Sequence, residues 1–325
     1  MNKLLKLSIM GVLSLGLFAC GNKTTTAAPT TTNTPTTTAP APKETIKLLT
    51  PAGTPLMAIA GIIGSEGVNV ESVNGPENLI AGLSKKSHDL IIAPLTAGAK
   101  LSIAGKTSYK LEAVLTINNT YIISKGSTTL TNISDLKGKK VIAYGQNQTA
   151  DIALKNALKK ANIETSEVDI TYENDVATAT STFMGGSDYD YCLSAEPQIT
   201  NLKVKKGANL KTLDLKDYMT NTVYQAGIFV NPDANQTRCN EVIEDIKNNV
   251  TYLNGNASEY AAKVVDKNAF LTNLGIEALA ACIPNANLVF IKAKDNKDTI
   301  NAYFTELNTA NPNILGGMVT DEFYR

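Results

Sequence analysis

The chain has 325 residues, with 30 Lys and Arg against 30 Asp and Glu, one His and four Cys. Zero net charge with no basic stripe among aromatics argues against a nucleic-acid partner. The single His88 excludes histidine metal clusters and leaves any Ser-His-Asp triad dependent on that one residue.

The first predicted element is a targeting segment. Lys3 and Lys6 precede a run, Leu7 to Ala19, that is apolar apart from Ser8, Gly11, Ser14 and Gly16. Spanning a bilayer needs roughly 20 apolar residues, so residues 1–19 read as a signal peptide. Leu17-Phe18-Ala19-Cys20 resembles the lipobox of bacterial lipoproteins. That resemblance implies cleavage before Cys20 and lipidation of its sulfur. Residues 20–43 then hold almost nothing but Thr, Ala, Pro and Asn. Such a tract cannot bury enough apolar surface to offset its ordering entropy, and is expected to be a disordered tether.

The body begins near Glu44. Thr45–Ile63 predicts a strand, a turn at Pro51-Ala52-Gly53 and a helix with Thr54 as N-cap and Pro55 in its first turn. Asn69–Gly75 alternates as a strand, and Pro76–Lys86 is an amphipathic helix with Leu79, Ile80 and Leu83 inward. His88 falls in a solvated turn. Asp89–Gly105 repeats the first theme: a continuous apolar strand of the kind buried on both faces, a break at Pro94, a cap at Thr96 and a short helix. Tyr109–Gly126 reads as two extended pieces meeting at Asn118-Asn119. After a turn at Ser134 come a strand at Lys140–Tyr144 and a helix from Thr149. A strand at Glu167–Glu173, a helix at Ala177–Met184, and a further strand and helix within Tyr189–Leu202 follow. Val223–Asp233 is one more strand, and the remainder reads as mainly helical.

This alternation predicts an α/β fold of parallel sheets with helices on both faces. The pattern of strand, turn, Thr or Ser cap and helix occurs at Thr54, Thr96, Thr149 and Ser194, twice in each half of the body. In open α/β sheets such turns gather on one rim, where ligands bind. Helix amino ends bring free N–H groups and partial positive charge. The composition makes this pertinent, because Arg238 and Arg325 are the only arginines and bidentate guanidinium clamps are scarce. Beyond Cys20 the chain holds Cys192, Cys239 and Cys282 with no CxxC pair. They are read as buried thiols, with pairing of Cys239 and Cys282 the alternative.

The order of Asp89-Leu-Ile-Ile-Ala-Pro, Tyr109-Lys-Leu-Glu-Ala-Val-Leu-Thr and Ser134-Asp-Leu-Lys-Gly-Lys-Lys-Val resembles the type II extracytoplasmic substrate-binding proteins of ABC importers. Gly53–Ala60, His88–Leu101 and Ser194–Leu202 look most like the nitrate, taurine and thiamine-precursor (NMT1/THI5-like) group. The resemblance implies a two-lobed periplasmic-binding-protein type II fold, each lobe a mostly parallel sheet flanked by helices, with a ligand cleft between. It sets lobe 1 at 44–117 plus 226–325 and lobe 2 at 118–225. It further implies a monomeric, membrane-anchored extracytoplasmic receptor that passes a small polar solute to ABC permease and ATPase subunits, with no cofactor, metal or catalysis.

The expected ligand contacts are Gly53, Thr54, Thr96 and Ala97 from lobe 1, and Gln146, Asn147, Thr149, Ser194 and Glu196 from lobe 2. Asn119 and Tyr224 would touch from the crossings. Glu196 has an alternative role as a first-turn acid that suits the helix dipole. Two rivals stand beside this reading: a thiamine-pyrimidine synthase-like enzyme, whose several histidines and iron one histidine does not match, and a stand-alone sensor or adhesin lipoprotein.

Overall fold

Ile46, Leu48 and Leu49 are buried along the first strand, and they divide between two apolar clusters on opposite faces of one sheet. That is the period-2 alternation of a strand covered on both sides. The structure, a computed structural model, describes residues 43–186 and 188–325. The signal peptide, Cys20 and all but the last residue of the tether lie outside the described residues.

In chain order the elements are β1 (Ile46–Pro51), α1 (Thr54–Ile59), β2 (Val68–Val73), α2 (Glu77–Lys85), β3 (Leu90–Pro94), α3 (Leu95–Ile103) and β4 (Lys110–Ile117). The chain then crosses to β5 (Tyr121–Lys125), β6 (Lys140–Tyr144), α4 (Thr149–Lys160), β7 (Asp169–Glu173), α5 (Val176–Met184), β8 (Tyr191–Ser194), α6 (Gln198–Lys206) and β9 (Leu210–Asp214). It returns through β10 (Tyr224–Val230) to α7 (Gln236–Gly255), α8 (Ala257–Val264), α9 (Ala269–Leu274), α10 (Ile276–Cys282), β11 (Leu288–Lys292) and α11 (Lys297–Ala310).

Among the described residues these form a six-stranded sheet, β11-β4-β10-β3-β1-β2, and a five-stranded sheet, β7-β6-β8-β5-β9. Both are mixed. The βα units pair in parallel (β1 with β2 and β3; β6 with β7 and β8), while β10 and β5 run antiparallel to their neighbours.

Each sheet is covered on both faces. In the second, Val141, Ala143, Tyr191 and Leu193 face one cluster, and Ile142 and Cys192 the other. Gly98 shows how closely α3 lies on the first sheet, since a Cβ there would fall 2.1 Å from Phe229 Cζ.

Some expected details differ. Ile80 is 39% exposed, while Leu79 and Leu83 carry the inward face of α2. β9 and β11 add strands where none was expected, and β11 lies within the segment read as helical. Cys192, Cys239 and Cys282 are buried free thiols, so Cys239 and Cys282 do not pair.

Candidate functional site

The strands β1, β3, β6, β7 and β8 each run into a helix, and the turns at their carboxyl ends converge on one cleft of about 740 Å³. Gly53, Thr54, Pro94 and Thr96 line it from the first sheet. Gly145, Gln148, Thr149, Asp175, Thr178 and Gln198 line it from the second. Its floor includes Thr116, Asn119, Gln225 and Ala226, where the chain crosses between the sheets. This is the carboxyl-end rim of an open α/β architecture, where ligands bind.

The threonines reach the cleft by a different local geometry from the capping expected. The N-cap of α1 is Gly53, at φ 122°, that of α3 is Pro94 and that of α4 is Gln148. Thr54, Thr96 and Thr149 therefore sit inside the first helical turn, and none of the three N-caps makes a side-chain capping bond. The turn chemistry enters the helix one or two residues early, because Gly53 takes a φ that L residues avoid and Pro94 presets its own φ. The hydroxyls of Thr54 and Thr96 consequently carry no hydrogen bond within the described residues.

Of the other expected contacts, Asn119 and Glu196 also line the cleft. Ala97 and Asn147 line an adjoining groove of about 480 Å³ that shares Pro94, Thr96 and Gln148 with it. Three residues fall elsewhere. Ser194 is buried at the end of β8, its hydroxyl 2.9 Å from that of Thr180. Tyr224 is buried against Tyr303 and donates to Thr299 Oγ1 at 2.9 Å. Successive residues of a strand face opposite sides, so its neighbour Gln225 takes the cleft position. Gln146 is exposed on neither wall. Gly145 and Asn147, both at positive φ, coil that loop so that Gln148 reaches the cleft.

Sequence reasoning passed over Asn74, Gln148, Gln198 and Gln225. The first three have side-chain amides with no hydrogen-bond partner among the described residues. Their signal was position: each is a polar residue one to four places after the end of a strand.

The acids are arranged differently. Asp175 caps α5, taking the Thr178 N–H and hydroxyl at 2.9 Å each. Glu196 accepts from the Thr200 N–H at 3.0 Å and hydroxyl at 2.9 Å, and from Cys282 Sγ at 3.7 Å. Burial pushes its carboxyl above the usual range, with the Thr200 bonds opposing. The alternative role, an acid at the start of a helix, is thus the one its carboxylate occupies. Asp151 anchors the loop before α4: it accepts from the Asn147 N–H at 2.7 Å, the Tyr172 hydroxyl at 2.6 Å and Lys155 Nζ at 2.7 Å.

Neither arginine enters the cleft. Arg238 donates to the carbonyls of Glu44 and Gly67, and Arg325 to Glu112, Gln236 and Asn240. His88 contacts Ser87 Oγ at 2.7 Å and Glu71 Oε2 at 3.3 Å. It precedes β3, whereas the cleft lies past that strand's other end, about 20 Å away at ~3.3 Å per residue.

Compared with known proteins, residues 64–244 match the model of the NMT1/THI5 like family, more than half of the chain. The chain belongs to the NMT1/THI5-like family. A search of curated protein sequences finds no match. Among solved structures, an ABC transporter protein from Parabacteroides distasonis superposes on this NMT1/THI5-like chain with a TM-score of 0.71 at 19% identity, covering 87% of this chain and 99% of that one. The periplasmic aliphatic sulphonate binding protein SsuA from Escherichia coli superposes at 0.68 and 14% identity, covering 85% and 90%. The desulfurization enzyme DSZB superposes at 0.60 and 10% identity, covering 87% and 96%. At these identities the likeness concerns architecture: this NMT1/THI5-like chain has the two-lobed α/β type II fold of periplasmic binding proteins.

Proposed function

We propose that this protein is the solute-binding component of an ABC importer, which captures a small polar molecule between its lobes and delivers it to permease and ATPase subunits. The observation that carries this is the cleft itself. Thr54 and Thr96 on one side and Gln148, Thr149 and Gln198 on the other present hydrogen-bonding groups into about 740 Å³. That volume suits a small molecule. The names of the neighbours from Parabacteroides distasonis and Escherichia coli, a transporter protein and a periplasmic binding protein, support the same reading.

In this reading lobe 1 is 44–117 plus 226–325 and lobe 2 is 118–225, and the protein works as an extracytoplasmic monomer tethered through a lipid on Cys20. The lobes close by a hinge at the crossing segments. An enzyme on this fold is the second reading, since DSZB shares the architecture. The position of His88 beyond the opposite end of β3 weighs against it, as does the engagement of both cleft acids with their own helices. Native mass spectrometry of protein purified without denaturation tests the proposal. A mass increment corresponding to one small organic molecule per chain supports it. Turnover of that molecule by the isolated protein contradicts it.

A further inference from the structure

The charge of the cleft allows the class of solute to be narrowed; this step rests on the solute-binding reading. Four helices of nine residues or more, α3, α4, α5 and α6, begin at its walls. Each helix start carries roughly +0.5 of an elementary charge, together about +2. An arrangement of that kind would draw an anion if nothing opposed it.

Something does oppose it on the second lobe. Asp175 is the N-cap of α5 and bonds the Thr178 N–H. Glu196 bonds the Thr200 N–H in the first turn of α6. Asp151 stands in the first turn of α4, already matched by Lys155 at 2.7 Å. Acidic side chains therefore already face the starts of α4, α5 and α6, and of these four helices α3 alone has none at its start. Among the described residues, no Lys, Arg or His lines the cleft. The basic residue of the adjoining groove, Lys100, donates to the Asn313 carbonyl at 3.0 Å. A fully anionic solute would lose its hydration on closure without a countercharge to replace it.

What the cleft does offer is amides. Asn74, Gln148 and Gln198 line it with no side-chain partner among the described residues, and each holds both a donor and an acceptor. The hydroxyls of Thr54 and Thr96 are likewise uncommitted. A site of unpaired amides favours a solute that pairs with them, because burying them unpaired is costly.

We infer that the solute is an uncharged organic molecule with adjacent hydrogen-bond donors and acceptors, held by the amides of Asn74, Gln148 and Gln198, and that simple sulfonates and carboxylates are not ligands.

The test uses single cysteines at Gln148→Cys and Gln198→Cys, in the full chain carrying Cys20→Ser. The other native thiols are buried. Thr309→Cys, at an exposed position of α11, serves as control. Each thiolate attacks a methanethiosulfonate, forming a mixed disulfide and releasing methanesulfinate, with either a trimethylammonium-ethyl or a sulfonato-ethyl reagent. The ratio of the two rates cancels thiol reactivity and reads the local preference for charge. The expected ratio at both cleft sites lies within about threefold of the control. Ethanesulfonate and acetate are expected not to slow labelling by the neutral methyl reagent. A sulfonate preference greater than threefold at either site, or protection by either anion, overturns the inference. A cationic preference of that size overturns it too. Each of these outcomes bears on charge class alone, whereas the absence of any bound solute by native mass spectrometry bears on solute binding.

Discussion

The side-chain amide of Gln225 bonds the backbone of Asn119 in both directions: Oε1 accepts the Asn119 N–H at 2.9 Å, and Nε2 donates to the Asn119 carbonyl at 3.1 Å. One amide thus stands in for a strand partner at the place where β4 hands over to β5 and β10 returns. Asn118, at φ 47°, completes the junction by exchanging bonds with Val223, donating its N–H to the Val223 carbonyl and accepting the Val223 N–H on Oδ1, both at 2.9 Å. The Asn119 side chain in turn pairs with the backbone of Glu196, accepting its N–H at 2.8 Å and donating to its carbonyl at 3.1 Å. The crossing and the last turn of the second lobe are therefore one hydrogen-bonded unit beneath the cleft.

Gln225→Ala removes the two neutral hydrogen bonds to the Asn119 backbone, besides a longer one from Nε2 to the Thr120 hydroxyl at 3.3 Å, and leaves that backbone pair unmatched. Each such bond contributes about 0.5–1.5 kcal/mol net, so a loss of roughly 1–3 kcal/mol is expected. Urea unfolding measures it. Gln225→Glu keeps the acceptor for the Asn119 N–H but sets a carboxylate against the Asn119 carbonyl, and should be at least as damaging as the alanine variant.

The carboxyl of Glu196 is raised by burial, and this fixes a sign. Between its unfolded value of 4.5 and its higher folded value, the native state binds more protons than the unfolded chain. Stability contributed by this group is present below 4.5 and is lost as pH rises through the folded value. Glu196→Gln keeps an acceptor for the Thr200 N–H while removing the titration. Its stability should fall less steeply with pH than the wild type above 4.5, in denaturant midpoints measured across that range. An unchanged slope would place the pH dependence in other groups.

His88→Ala and Arg238→Ala are expected to leave solute affinity unchanged within about threefold, because both residues contact only structure outside the cleft. Calorimetric titration of the co-purified solute decides this. A tenfold loss in either variant would move the site away from the converging turns.

Cys20→Ala should abolish labelling by a palmitate analogue and release the protein from membranes, as the lipobox resemblance implies. Equal labelling of wild type and variant would assign the anchor elsewhere.

Much of this arrangement is legible in the sequence where local chemistry and tertiary packing agree. The strand at Lys140–Tyr144 and the start of the next helix at Thr149 coincide with β6 and α4, because an apolar run ends in a Gly-containing loop and a good helix former. β9 and β11 were not legible. Leu210–Asp214 is short and half polar, and Leu288–Lys292 becomes a strand by pairing with β4, a partner more than 170 residues away. At the site, the turns were identifiable and the side chains less so. Tyr224 and Gln225 differ only in strand face, which a one-residue shift in register inverts. Gln148 replaces Gln146 because of two left-handed residues, Gly145 and Asn147, the second held by Asp151. The free amides of Asn74 and Gln198 carry no sequence signal beyond their position near the ends of strands.

The central claim is that a single solute bridges the two lobes. Thr96 lines the cleft from the first sheet and Gln148 from the second. Titration calorimetry of Thr96→Ala and Gln148→Ala with the co-purified solute tests the claim most directly. Each variant should lose about 0.5–1.5 kcal/mol, roughly a twofold to tenfold rise in Kd for the same molecule. If either variant binds that molecule as tightly as the wild type does, the solute is not held between the lobes and the account fails.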